Sequence, residues 1–112
     1  MERLTYDELL TQIEKIPVAE SRIDSAQMKE FVIKSDFVTE LHLTFQDFFG
    51  PDFKAPGEEP SPVDKKRAAV LGGIRQDQTL YYSEKAGYSH CAVLWPWGDG
   101  RRYTVKLAQK TI

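Results

Sequence analysis

The C-terminal third of the chain alternates apolar and polar residues with a period of two, which is typical of β-strands. The alternation runs through three segments, 74–83, 88–97 and 102–107. Gly87 and the glycine-containing segment 98–100 supply turns between them. The pattern therefore predicts a three-stranded antiparallel meander.

The register of the last hairpin decides which side chains share a face. A two-residue loop would pair Trp95 with Thr104, whereas a three-residue loop with a glycine bulge at Gly100 would pair Trp95 with Tyr103. The second register collects every large apolar side chain on one face, and each buried aromatic contributes on the order of 2 kcal/mol. Because a one-residue slip reverses all side chains, we predict the three-residue loop.

A four-residue turn at 84–87 extends these faces to the first strand by pairing Leu80 with Cys91 and Tyr81 with His90. The predicted core face then carries Ile74, Leu80, Tyr82, Cys91, Val93, Trp95, Trp97, Tyr103, Val105 and Leu107. The predicted opposite face carries Arg75, Asp77, Thr79, Tyr81, Tyr88, His90, Ala92, Leu94, Arg102, Thr104 and Lys106. Only the second face combines basic, aromatic and imidazole side chains.

Pro96 predicts where the sheet opens. Proline cannot donate a hydrogen bond to a sheet ladder, so it belongs at an edge or an irregularity. The strand should therefore lose pairing near the hairpin tip, and Trp97 lies at that tip. A large aromatic side chain in such a position is a candidate for contact with a partner protein.

The N-terminal segment carries a helix start and stop. Thr5 and Glu8 have the spacing of a capping box, and Pro17 predicts the end of the helix. The apolar residues between them fall on one face, namely Tyr6, Leu9, Leu10, Ile13 and Ile16.

The middle of the chain fits two interpretations. Residues 36–49 fit a helix that has Ser35 as its N-cap and ends at Gly50, but part of this segment also alternates like a strand. The spacing of its phenylalanines favours the helix. The preceding segment 29–34 predicts a short strand.

The segment 50–62 contains four of the six prolines and predicts an internal surface loop. Ser61 at its end predicts the N-cap of another helix, because Pro62 suits the first helical position and Asp64 faces the positive end of the dipole. That helix should run to about Leu71.

These elements predict a single α+β domain over residues 1–112. Two to three helices pack on one face of a three- to four-stranded antiparallel sheet that ends in the meander. A chain of this length buries enough apolar surface to fold without disulfides or metals.

Composition narrows the classes of partner and the compartment. The chain has 15 basic and 17 acidic residues and a net charge of −2, so no overall positive field attracts nucleic acid or anionic lipid. The N-terminal residues lack the apolar region of a secretory signal, and no apolar run is long enough to span a membrane. Together with a single cysteine, Cys91, these features predict a cytoplasmic protein.

The residues that could carry chemistry form no known motif. His90 and Cys91 are neighbours on a strand and therefore point to opposite faces, which argues against a thiol–imidazole pair. The spacings typical of metal ligands are absent. We therefore predict no metal site, no cofactor and no catalytic set.

Two function classes are compatible with this sequence. The first is a small non-catalytic module that binds a protein partner, or a second copy of itself, through the uncovered sheet face or through Trp97. The alternative is a small enzyme or a binder of an anionic small molecule that uses Tyr81 and His90 together with Arg102 or Lys106. No motif in the chain matches a known family residue by residue.

Overall fold

A computed structural model describes residues 4–51 and 53–112. The strands are β1 (Glu20–Asp24), β2 (Met28–Lys34), β3 (Thr79–Lys85), β4 (Tyr88–Pro96) and β5 (Arg102–Thr111), and the helices are α1 (Tyr6–Glu14), α2 (Val38–Phe49) and α3 (Pro62–Ala68). All neighbouring strands are antiparallel, in the order β1-β2-β5-β4-β3. No helix among the described residues has the length and apolar character needed to cross a membrane.

The sheet is covered on both faces. Helices α1 and α2 pack on what we call the α1–α2 face, which presents Phe31, Ile33, Tyr81, Ala92, Leu94, Val105 and Leu107. Helix α3 and the 3₁₀ turn that follows it pack on the other face, here the α3 face, through Ala68 and Leu71. The α3 face presents Leu80, Cys91, Val93 and Ala108.

The predicted α+β class is confirmed, with two differences in architecture. The sheet has five strands, one more than the upper limit predicted, and the third helix packs on the opposite face from the other two. The additional strand, β1, is an exposed edge strand with a bulge between Ser21 and Ile23. Its sequence does not alternate, so the hydrophobic pattern gives no sign of it.

The predicted register of the last hairpin is wrong. Trp95 pairs with Thr104 rather than with Tyr103, which is the alternative that the burial argument rejected. That argument assumed one buried face and one open face. Because helices cover both faces, the large apolar side chains need not share one. Val105 is therefore buried against α1 and α2, while Trp95 lies on the α3 face.

The turn between β3 and β4 contains two residues, not four. Ala86 and Gly87 both have left-handed φ values, 52° and 84°, as type I′ turns require. Tyr82 therefore pairs with Cys91 in place of the predicted Leu80. The predicted register is wrong by two residues. Because side chains alternate with a period of two, this shift leaves each β3 side chain on the same face of the β3–β4 hairpin as predicted.

The helix starts follow the local sequence at two of three places. Capping boxes are present at Thr5 and at Ser61, where the serine hydroxyl accepts a hydrogen bond from the backbone N–H of Asp64. The helical interpretation of 36–49 is confirmed, but Ser35 is not its N-cap. It begins a 3₁₀ turn, and α2 starts at Val38 without a side-chain cap.

Lys54 fastens the proline-rich loop to the edge of the sheet. Its backbone exchanges two hydrogen bonds with Leu80 of β3. Its buried ammonium group donates to the carbonyls of Ala55, Gln76 and Gln78 at 3.1, 2.8 and 2.6 Å. These contacts hold 74–78 as an irregular segment, so β3 begins at Thr79 rather than at Ile74.

Candidate functional site

The structure separates the five residues that the sequence grouped as a candidate surface. Tyr81 and His90 lie on the α1–α2 face, where both are buried. Arg102, Lys106 and Trp97 lie on the α3 side of the sheet, in the register that pairs Trp95 with Thr104. The predicted grouping of His90 with Arg102 and Lys106 on one sheet face is therefore wrong. It depended on pairing Trp95 with Tyr103, and the observed pairing of Trp95 with Thr104 puts both basic residues on the opposite face from His90.

Tyr81 is part of the core. Its ring is fully buried and stacks on Phe49 and Phe53, with centroid distances of 5.5 and 5.0 Å. Its hydroxyl lies 2.8 Å from Nδ1 of His42. Burial raises the pKa of Tyr81 and lowers the pKa of His42, so at neutral pH this is an uncharged hydrogen-bonded pair.

The basic residues of the α3 side interact with the two tryptophans. The ammonium of Lys106 lies 3.7 Å from the Trp95 ring centroid and 3.8 Å from a carboxylate oxygen of Glu30. The Arg102 guanidinium lies 5.5 Å from the ring of Trp97, and the Trp97 indole N–H donates to the Thr104 hydroxyl at 2.9 Å. Internal contacts therefore occupy these side chains, although the role of Trp97 as a partner contact stays a prediction.

A cleft of about 500 Å³ opens beside His90, at the end of the sheet where the β3–β4 turn meets the start of α1. We call it the His90 cleft. It is lined by Leu4, Thr5, Tyr6, Asp7, Phe48, Lys85, Ala86, Tyr88, His90 and Gln109. Its volume is within the range of small-molecule sites.

Local sequence features position α1, α2, β3 and β4 at this cleft, and β5 adds Gln109. The Thr5 capping box fixes the first residue of α1, Tyr6, at the cleft wall. Phe48 lies in the last turn of α2, which Gly50 ends with a φ of 93°. The two-residue turn after Lys85 brings β3 back as β4 and places His90 on the same face.

His90 is buried among aromatic rings. It is 3% exposed, and its ring centroid lies 4.8 Å from that of Tyr6 and 4.9 Å from that of Phe48. Neither imidazole nitrogen has a hydrogen-bond partner among the described residues. Burial, and secondly the positive charge of Lys85, lower the pKa of His90, so the ring is neutral at pH 7. A neutral imidazole offers one donor and one acceptor.

Two hydroxyl groups close to His90 are also buried without a partner among the described residues. One is the phenol of Tyr6, whose pKa is raised by burial to about 12. The other is Ser83, which lies directly opposite His90 in the β3–β4 ladder. Buried polar groups without partners cost about 1–3 kcal/mol each, and polar atoms that face a cleft can recover this cost by binding a ligand.

Among the described residues of the lining, Lys85 carries the one positive charge at neutral pH and Asp7 the one negative charge. The Lys85 ammonium donates to the carbonyl of Phe48 and lies 3.8 Å from the Phe48 ring centroid. The cleft thus has an apolar wall, buried polar groups at its base and charge at its margin.

The other chemistry considered from the sequence does not lie at this cleft. Cys91 is buried on the α3 face, and burial raises the pKa of its thiol to about 12, which makes it a poor nucleophile. Ser83 and His90 are not hydrogen-bonded to each other within the described part of the chain. Across residues 4–51 and 53–112, no three His, Cys, Asp or Glu side chains are placed to hold a metal ion.

The sequence identified His90 but not the residues around it. Tyr6 and Phe48 were placed in the core by their helical spacing, and Lys85 was assigned to a turn. No local signal connects Tyr6, Phe48 and Lys85, which lie more than 30 residues from one another in the chain. They meet only because α1 and α2 pack on the sheet. Comparison with models of protein families, with curated proteins and with solved structures gives no match to this chain.

Proposed function

We propose that this protein is a small-molecule binder that uses the His90 cleft. The observation that supports it is a group of three side chains, His90, Tyr6 and Ser83, whose buried polar atoms lack partners among the described residues. Tyr6 and His90 line the cleft, and Ser83 lies opposite His90 in the β3–β4 ladder. Natural proteins satisfy nearly all buried polar groups. A ligand in the cleft would satisfy the two in the lining, Tyr6 and His90, once a small movement of their rings exposes these atoms to it.

The lining indicates the class of molecule. The Leu4, Phe48 and Tyr88 side chains suit an apolar body, such as an alkyl chain or an aromatic ring. The Tyr6 hydroxyl and the imidazole N–H are donors, and they suit an oxygen acceptor at the head of the ligand. The Lys85 ammonium at the margin attracts an anion, and the apolar side chains around it strengthen this attraction by lowering the local dielectric constant. A carboxylate head group is therefore favoured over a neutral one.

This proposal replaces the sheet-face residues of the anionic-ligand hypothesis, keeping only His90. Arg102 and Lys106 lie on the other side of the sheet, and the Tyr81 hydroxyl already contacts His42. Binding without catalysis is favoured because His90 has no hydrogen-bonded carboxylate or nucleophile beside it among the described residues.

Titration followed by ¹H–¹⁵N NMR would test the proposal. The probes are octanoate and phenylpropionate, each with its matched alcohol. We expect saturable shifts of the backbone amides of Tyr6, Lys85 and His90, with the acids binding more tightly than the alcohols. Absence of saturable shifts for all four probes up to their solubility limits would overturn the proposal.

A ring-preserving variant separates binding from folding. His90→Phe keeps the shape of the aromatic cluster and removes both nitrogens, so it should bind octanoate at least about tenfold more weakly. It should be as stable as the parent or more stable, because no buried nitrogen is then left without a partner. The matched control is His42→Phe, which lies outside the cleft and should bind octanoate normally. Unchanged binding by His90→Phe would contradict the assigned role of His90.

A further inference from the structure

A second cleft, of about 660 Å³, runs along the outer side of α3 and shares no lining residue with the His90 cleft. We call it the α3 cleft. It is lined by Val63, Lys66, Arg67, Ala69, Val70, Tyr82, Ser89 and Lys110. Helix α3 forms one wall, and the ends of β3, β4 and β5 form the other.

The helix wall has a regular pattern of side chains. Val63, Lys66, Arg67 and Val70 follow the i, i+3, i+4, i+7 spacing, so they form one stripe. The two valines at its ends are 54% and 44% exposed. Ala68 of α3 and Leu71 of the following 3₁₀ turn pack on the sheet. The stripe is therefore not used in the core.

Three cations line the α3 cleft, Lys66 and Arg67 between the two valines and Lys110 on β5. None of Lys66, Arg67 and Lys110 forms an ion pair with a described residue, and the described lining contains no carboxylate. Carboxylates lie next to this lining rather than in it: Glu84 accepts a hydrogen bond from the Tyr82 hydroxyl at 3.1 Å, and Glu58 and Asp64 line a neighbouring cavity with Arg67. This local positive charge occurs in a chain whose net charge is −2.

Arg67 is positioned by an aromatic ring. Its guanidinium carbon lies 4.4 Å from the centroid of the Tyr82 ring. Stacking of this kind restrains the guanidinium plane and leaves its N–H groups at the edge free to bind a carboxylate. The arrangement is therefore suited to an anion carried by a larger partner.

We infer that the α3 cleft binds a short segment of a partner protein in which acidic side chains lie between two apolar ones. The cations give charge complementarity to the acids, and the exposed valines give the apolar ends a contact. At the rise of α- and 3₁₀-helices, Val63 and Val70 are roughly 11 Å apart. An extended peptide covers that distance in about three to four residues. Nucleic acid is less suited, because the protein is acidic overall and repels a polyanion.

Fluorescence anisotropy with the full chain would test this inference. The probe is a labelled peptide with two glutamates between two leucines, and its control has glutamines in their place. We expect saturable binding of the glutamate peptide, weakened by salt, and at least about tenfold weaker binding of the glutamine peptide. Equal binding of both peptides, or no binding of either, would overturn the inference.

Matched variants locate the binding. Lys66→Glu should weaken binding of the glutamate peptide at least about tenfold. Val70→Ser should also weaken its binding, but the dependence of affinity on salt should stay the same because no charge is removed. Lys65→Glu makes the same charge change on the same helix outside the cleft lining and should bind nearly as the parent does. Equal losses in Lys65→Glu and Lys66→Glu would contradict a specific cleft, as would equally tight binding of a single-stranded oligonucleotide. Because octanoate binding at His90 is measured separately, either proposal can fail alone.

Discussion

At the scale of single residues, the most informative feature is a histidine buried without a hydrogen-bond partner among the described residues. His90 lies against Tyr6 and Phe48, and burial lowers its pKa. The second histidine, His42, is hydrogen-bonded to Tyr81, and burial lowers its pKa as well. Both side chains are therefore held neutral by the fold at pH values where the unfolded chain accepts a proton.

This difference predicts that stability falls in mildly acidic solution. Above a pH of about 6.5 both states are neutral at these two positions. As the pH falls below that value, the unfolded chain binds protons that the folded chain does not, so the free energy of unfolding decreases until the lowered folded pKa values are reached. Urea unfolding between about pH 5 and pH 8 measures this slope.

The two histidines can be separated in the same experiment. His90→Phe should reduce the slope, and the double variant with His42→Phe should remove most of it. The carboxylate of Glu8, whose pKa is lowered by its hydrogen bonds with Thr5, acts at lower pH and does not disturb this window. A slope in His90→Phe equal to that of the parent would show that His90 is solvated in the folded state.

At the scale of elements, local sequence signals predicted the starts of α1 and α3 but not the extent of β3. Thr5 and Ser61 form the expected capping boxes because a cap needs only residues within one turn. The start of β3 depends on Lys54, which lies more than 20 residues earlier and holds the carbonyls of Gln76 and Gln78 outside the ladder. Such a contact has no signature in the local alternation of residues.

The Lys54 contact predicts a measurable contribution to stability. Lys54→Met keeps the length and much of the apolar stem of the side chain but removes the ammonium donor from three carbonyls. The carbonyls of Ala55 and Gln76 keep a backbone N–H donor, whereas the carbonyl of Gln78 has no second donor among the described residues. We expect the free energy of unfolding to fall by about 1–3 kcal/mol, measured by urea denaturation. The control Lys65→Met, at an exposed position of α3, should change it by less than about 0.5 kcal/mol. An unchanged or higher stability of Lys54→Met would mean that desolvation of the ammonium outweighs its hydrogen bonds.

At the scale of the whole molecule, the decisive property is that helices cover both faces of the sheet. The predicted meander needed only one buried face, so it placed Leu94 with the mixed, partly open face. In the structure Leu94 is fully buried under α1 and α2, and its neighbour Val93 is fully buried on the α3 face.

Truncation of Leu94 tests the two-sided core. Leu94→Ala should lower the free energy of unfolding by about 2–5 kcal/mol, because the cavity forms between closely packed elements. Leu43→Ala, at a position that is 59% exposed on α2, should change it by less than about 0.5 kcal/mol. Equal losses of stability for Leu94→Ala and Leu43→Ala in chemical denaturation would indicate that α1 and α2 do not bury this face of the sheet.

The same property explains what could be predicted of the candidate site. Of the two histidines, His90 is the one that lies in a strand with clear alternation. Strand alternation is a local pattern, so the sequence could identify His90. The residues that give it an aromatic cluster come from α1, from α2 and from the first residue of β4. Arg102 and Lys106 were grouped with it only through a register that assumed an uncovered face.

The sequence alone determined the elements whose signals are local: the capped helices, the strands with alternating residues and the α+β class. Tertiary structure decided the pairing of Trp95 with Thr104, the exposed strand β1 and the two clefts. The physical reason is that register and burial depend on the free energy of both sheet faces together. In this chain α3 supplies apolar contacts on the second face, and no run of neighbouring residues contains that information.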